Sequence, residues 1–222
     1  MKKIVFLLFV CLNLFAQDVY DLRDKVENEK INLFLSPKSD EEFKKYVYAN
    51  DDRRNSIKRM LPKEYEELLK IEDVIDRDDK ANELVKKVKT MIASPKIGDK
   101  IITGNTRGAS LYYEQGKLKM GCELTMGSWL YDDSSDRNLS VLNITFLPTT
   151  REVLKELANN SNSEDYRIEV IGTIAKIKSF IYLKDFKIKI FTKENKQIEI
   201  KELSVIGNFH YTDKSIIPME YK

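Results

Sequence analysis

The chain has little of what most catalytic constellations are built from. Its 222 residues include one histidine, His210, and two cysteines, Cys11 and Cys122. A His-based triad, a multi-His zinc site and a cysteine zinc cluster are therefore excluded. No G-x-x-x-x-G-K-[ST], G-x-G-x-x-G or G-x-S-x-G run occurs, so phosphate-loop and nucleophile-elbow enzymes lose their main signal. Glycine (8) and proline (5) are scarce, while 42% of residues are hydrophobic and 33% charged. That composition excludes collagen-like, mucin-like and wholly disordered chains and leaves a charge-rich globular body. At 26.0 kDa it suits one or two domains with a sizeable core.

The one strongly apolar run is at the N-terminus. Lys2 and Lys3 precede the stretch from Ile4 to Phe15, which only Asn13 interrupts, and Ala16 stands before polar Gln17. This is the pattern of a bacterial secretory signal peptide over residues 1–16, implying export to the periplasm or cell envelope. The run is too short to cross a hydrocarbon core, which needs about 20 residues. No later window is long and apolar enough, so no transmembrane helix is expected in the mature chain. Leu8-Phe9-Val10-Cys11 is similar to a lipobox, which leaves a lipid anchor at Cys11 open. The residue before such a cysteine is normally small and Val10 is not, so cleavage after Ala16 is favoured.

Removing residues 1–16 takes away two lysines and no acid, leaving 36 basic residues against 36 acidic ones. A neutral body exerts little long-range pull on nucleic acid or anionic lipid. Cys122 would then be the only cysteine, with no intramolecular disulfide possible, and it reads as a small buried hydrophobe.

Hydrophobic periodicity divides the rest into an α+β arrangement: a helical region over 17–95, then a β domain over 96–222. Ser39-Asp40-Glu41-Glu42 forms a capping box, Phe43, Tyr46 and Val47 share a face, and Pro62 suits a first turn. Tyr65, Leu68, Leu69 and Ile75 follow at near-helical spacing. Residues 79–93 predict the clearest helix, with Ala81, Leu84, Val85, Val88, Met91 and Ile92 in one stripe. From Lys96 the period becomes two. Leu118, Met120, Cys122 and Leu124 alternate with Lys117, Lys119, Gly121 and Glu123. Residues 139–147 predict a longer strand, and Thr149 with Glu152 a second capping box. Tyr166 to Lys178 predicts a strand whose face changes register at Gly172, as a bulge would require. Strand, strand, strand, helix, strand, strand is the order of a small Greek-key OB barrel, with another small barrel or an open sheet as alternatives.

Leu142-Asn143-Ile144-Thr145-Phe146, the helix 150–160, Val170-Ile171-Gly172-Thr173-Ile174 and Ile181-Tyr182-Leu183-Lys184-Asp185 carry a resemblance. Together they resemble the second half of the tRNA-anticodon-binding-like OB domains of exported bacterial proteins. The resemblance implies an OB fold and assigns no activity. Residues 194–222 extend past the closing strand of such a domain.

Candidate sites follow from this reading. A partner surface would use the outer face of the second strand, Lys119 and Glu123, with Tyr112 and Tyr113 from the first hairpin. The loop after the second strand would add Trp129 and Tyr131, since Trp and Tyr bury large area at low entropy cost. Packing of Trp129 at a barrel end is the alternative. No cofactor is implied and no catalytic residue stands out, so a non-enzymatic envelope protein binding another protein or a small ligand is the leading expectation. A calcium-dependent, nuclease-like hydrolase would use Asp132, Asp133 and Asp136. An oligonucleotide binder would draw on residues 167–201, which hold nine Lys or Arg, four acids, and Phe180, Tyr182 and Phe186. Strand lysines that discourage edge pairing explain that charge without nucleic acid.

Overall fold

A computed structural model describes residues 17–36, 39–49, 55–105, 109–124, 128–132, 137–139, 141–159, 166–178, 180–209 and 213–217. The chain order is strand β1 (Val19–Asp21), then helices α1 (Lys25–Leu35), α2 (Asp40–Val47), α3 (Ser56–Met60), α4 (Pro62–Leu68) and α5 (Val74–Thr90). Strands β2 (Lys100–Gly104), β3 (Ser110–Glu114), β4 (Lys117–Glu123), β5 (Ser128–Asp132), β6 (Arg137–Leu139) and β7 (Val141–Pro148) come next. Helix α6 (Arg151–Asn159) precedes β8 (Arg167–Ile177), β9 (Ile181–Phe191), β10 (Ile200–Phe209) and β11 (Asp213–Ile217). The fold is mixed α+β. One sheet has the order β1-β2-β8-β9-β5-β6 and the other β11-β10-β7-β4-β3.

Both sheets face one hydrophobic core. Ile101, Val170, Leu183 and Ile188 enter it from the first sheet, and Leu118, Met120, Leu142, Phe146 and Val205 from the second. Alternation explains the arrangement: in β4 the buried residues are Leu118, Met120 and Cys122, with Lys119, Gly121 and Glu123 facing outward. A second core lies among the helices, where Val47, Ile57, Leu68 and Val88 are fully buried.

Helix α1 belongs to both. Ile31 and Leu35, four apart, pack into the sheet core, while Leu33 packs into the helical core with Val26 beside it. Glu29, seated between them and only 2% exposed, accepts a hydrogen bond from the Ser56 hydroxyl and pairs with Arg59 Nη1 at 2.9 Å. A helix apolar on two faces must lie between two layers. Asp24 caps α1 by accepting from the Glu27 amide at 2.8 Å. The Asn28 side-chain amide donates to the Leu22 carbonyl at 3.0 Å, pinning the corner from β1.

Several local expectations hold. Ser39 and Glu42 make the reciprocal capping box, and Pro62 occupies the first turn of α4. Others need correction. The β8–β9 register does shift between Ile171 and Thr173, but the extra residue lies on β9 between Lys184 and Lys187, and the buried face of β8 keeps its alternation through Gly172 instead of changing sides there. The stretch 17–95 is not wholly helical, because Val19–Asp21 pairs in parallel with Lys100–Ile102. The long helix starts at Val74 rather than 79 and ends at Thr90, with Asp73 accepting from the Ile75 and Asp76 amides. Helix α4 stops at Leu68, so one face does not run through to Ile75, and Leu69 and Ile75 are exposed. The strand expected over 139–147 is two: Leu139 pairs with Leu130 in one sheet, and Val141–Pro148 lies in the other. Thr150, not Thr149, caps α6 by accepting from the Val153 amide at 3.3 Å, while the Thr149 amide donates to the Glu199 carbonyl.

The bulge gives a clean test. A Cβ at Gly172 would stand 2.9 Å from Leu183 Cβ and 3.2 Å from Phe186 Cβ, inside the packed pair β8–β9. At Gly121 the nearest atom would be 3.7 Å away, an ordinary contact. Gly172→Ala should cost about 1–3 kcal/mol in urea unfolding, the usual penalty of overpacking. Gly121→Ala should stay within about 0.5 kcal/mol of the parent, and equal losses would contradict the register.

Candidate functional site

The β3–β4 hairpin turns through Gln115 and Gly116, both at positive φ (50° and 82°). That is the primed turn whose twist matches the strands. It sets Tyr112 opposite Lys119, Tyr113 opposite Leu118 and Ser110 opposite Gly121. Tyr112 and Tyr113 are 44% and 49% exposed. Lys119 pairs with the Glu114 carboxylate, and that hydrogen bond raises the ammonium's pKa above its ordinary value. Lys117 reaches Glu202 at 3.2 Å on the same sheet. Tyr112 thus shares the outer face of the sheet with Lys119 and the exposed Glu123, whereas Tyr113, opposite buried Leu118, points to the other side of the edge strand.

Trp129 and Tyr131 do not join them in a loop. Their backbone lies in β5, where Trp129 is opposite Tyr182 in the parallel ladder with β9 and Tyr131 is opposite Asn138. The segment after β4 supplies an edge pairing to the first sheet, so these two residues belong to the other layer. Asp132 sits at the end of β5, opposite Arg137. Asp133, Asp136 and His210 lie outside the described residues. Among the described residues no group of three His, Cys, Asp or Glu side chains could hold a metal ion. Cys122 is buried, and desolvation pushes its thiol up to about 12.

A second feature appears on the outer face of the first sheet. A cleft of about 410 Å³ is lined by Arg23, Gly104, Asn105, Arg167, Ile168, Glu169, Phe191 and Asn195. Strand β2 leaves β8 here: Gly104 is opposite Glu169, and the next residue, Asn105, bridges to Leu124 in the other sheet. The Asn105 side chain takes over the broken ladder. Its Oδ1 accepts from the Ile168 amide at 2.8 Å and its Nδ2 donates to the Tyr166 carbonyl at 3.1 Å. Arg23 donates to both Asp21 carboxylate oxygens, at 2.8 and 2.7 Å, and also pairs with Glu169. Lys189 holds the other Glu169 oxygen at 3.2 Å. Arg167 donates to Asn195 Oδ1.

Compared with protein families, curated proteins and solved structures, the chain matches none. The residues of the cleft come from five separated stretches. No local signal in the sequence marks them as a site.

Asp21 reports on the Arg23 contact. The hydrogen bond from Arg23 is the main cause holding its carboxyl below the ordinary range. A depressed carboxylate contributes stability that is complete above its unfolded value, about 4, and is lost as pH falls through the folded value. Arg23→Gln should therefore lower the urea midpoint at neutral pH and flatten the decline below about pH 4. Parallel pH profiles for the two proteins would contradict the assignment. Cys122 provides a separate check: in the chain without residues 1–16, its thiol should react with an aromatic disulfide reagent only at the rate of unfolding.

Proposed function

We propose that the chain is an exported, non-enzymatic cell-envelope protein that binds a protein partner through the β3 edge of the β3–β4 hairpin. The observation that carries this reading is the pair of exposed tyrosines, Tyr112 and Tyr113, on an edge strand beside the Lys119–Glu114 ion pair. An edge strand offers unpaired backbone groups to an incoming strand, and tyrosines supply contact area at low entropy cost. Export rests on the residue 1–16 pattern, with cleavage after Ala16 in preference to a lipid anchor at Cys11. Among the described residues no helix is long and apolar enough to cross a membrane.

An OB-like Greek key is the scaffold in this reading. Its support is the set of ladders β3–β4, β4–β7, β2–β8 and β8–β9, with α6 between β7 and β8. In such a barrel the third and fifth strands would meet. Here the ladder partner of β9 on that side is β5 and that of β7 is β10, so the two hairpin additions occupy the seam.

The oligonucleotide reading has less to stand on. Tyr182 is only 7% exposed and Phe186 packs against the core, so neither offers a free stacking platform. A calcium hydrolase built on Asp132, Asp133 and Asp136 would show saturable calcium heat that Asp133→Ala abolishes.

A photo-crosslinking residue at position 112 should capture one discrete partner in intact cells, while the same residue at exposed Lys86 on α5 should not. Tyr112→Ala should leave the melting temperature nearly unchanged and weaken that capture by about tenfold, a hot-spot loss. Equal capture from both positions, or from neither, would overturn the proposed surface.

A further inference from the structure

We infer that the cleft beside Arg167 is a binding site for a monocarboxylate carried on a compact apolar body. The inference stands apart from the partner surface, which lies on the other sheet. The space exists for a topological reason. Once β2 departs at Gly104, Arg167 keeps a ladder neighbour on the β9 side, Phe191, and none on the β2 side. Gly104, in the row of Glu169 and Lys189, contributes no side chain, and a Cβ there would stand 2.6 Å from the Ile168 carbonyl oxygen. The resulting 410 Å³ is within the range of small-molecule sites.

Charge selects the ligand. Glu169, with a side chain 12% exposed, is neutralised by Arg23 and Lys189. Arg23 in turn has its fork occupied by Asp21. Three cations therefore meet two carboxylates, and the surplus positive charge resides on Arg167. Among the described residues no carboxylate lies within ion-pair distance of Arg167, which donates only to the neutral Asn195 Oδ1. A guanidinium carries five N–H donors in a planar fork that matches a carboxylate.

Asn195 is fixed in place by its turn. Its amide donates to the Thr192 carbonyl at 2.9 Å and its backbone sits at φ 65°. Asn105 is likewise committed to backbone groups, so the polar wall is rigid. Phe191 supplies the apolar wall, which favours a body such as an aromatic ring. One negative charge matches the single surplus cation. A phosphate dianion brings two charges to a cleft with one surplus cation, which disfavours it.

The probe is benzoate, titrated into the ¹⁵N-labelled mature chain and followed by amide chemical shifts. Saturable shifts should map to Gly104, Asn105, Ile168 and Asn195, and benzamide, the neutral analogue, should produce none there. Arg167→Gln should weaken benzoate by about tenfold, the loss of one charge-assisted fork. Arg167 is exposed, so that variant should unfold at the parent's urea midpoint. Should Arg167→Gln fail to fold, Asn195→Asp offers Arg167 an internal carboxylate and should suppress benzoate equally. Lys86→Gln, on the exposed face of α5, should leave binding unchanged. Equal shifts from benzamide, tighter binding of inorganic phosphate, shifts mapping elsewhere, or full affinity in the folded Arg167 or Asn195 variants would each overturn the proposal.

Discussion

Helix α1 has to satisfy two cores at once, and the rest of the architecture is arranged around that demand. Ile31 and Leu35 close the sheet core on one side, while Leu33 and Val26 close the helical core on the other. Neither core is complete without it. Glu29 adds a polar condition to the apolar one, since a buried carboxylate needs both the Ser56 hydroxyl and the Arg59 guanidinium. Removing one partner of such a buried pair costs about 3–5 kcal/mol, far more than the pair itself contributes. The network thus fixes how α3 sits against α1 more than how tightly it is held.

The second constraint is how α1 is tied to the sheets. Three residues of β1 add to the edge of β2, and Arg23, just beyond, reaches over Gly104 to Glu169 on β8. The chain changes sheets between β2 and β3. Residues 100–104 pair with β8 and residues 110–114 with β4. A backbone that changes partners leaves amides and carbonyls unpaired, and buried ones must be satisfied. Asn105 meets that need on the β8 side, and the Ala109 amide, donating to Tyr166 at 3.0 Å, restores the ladder. The cleft is the geometric remainder of the same crossing.

What could be read from the sequence was whatever physics acts over a few residues. The Ser39–Glu42 box, Pro62 at a first turn and the β4 alternation all depend on neighbours three or fewer positions away. Strand β1 was missed because three residues cannot show a period, and its partner is β2, beyond five helices. The division between Leu139 and Val141 is not visible in the sequence because 137–148 is continuously strand-like in composition, and only tertiary pairing sends its two halves to different sheets. Thr149 and Thr150 are equally good caps in composition, and the Glu199 carbonyl decides between them by claiming the Thr149 amide. Of the candidate surface, Tyr112, Tyr113, Lys119 and Glu123 were legible from the hairpin, whereas Trp129 and Tyr131 required the parallel ladder with β9. Arg167 was visible only as one of the nine Lys or Arg of residues 167–201, since its isolation from carboxylates is a property of the folded chain.

The parallel pairing of β1 with β2 also constrains the order in which the fold can close. Strand β1 comes before all five helices, its partner follows only after them, and β8, which supports that partner, lies further along still. Loop closure over such a span is slow because its entropy must be met before any contact rewards it. The helices can collapse among themselves early, with the sheet-facing side of α1 still bare. The N-terminal strand therefore cannot be placed before β2, although it precedes every other element of the fold. Until it is placed, Leu22, Ile31 and Leu35 remain open to water and to other chains.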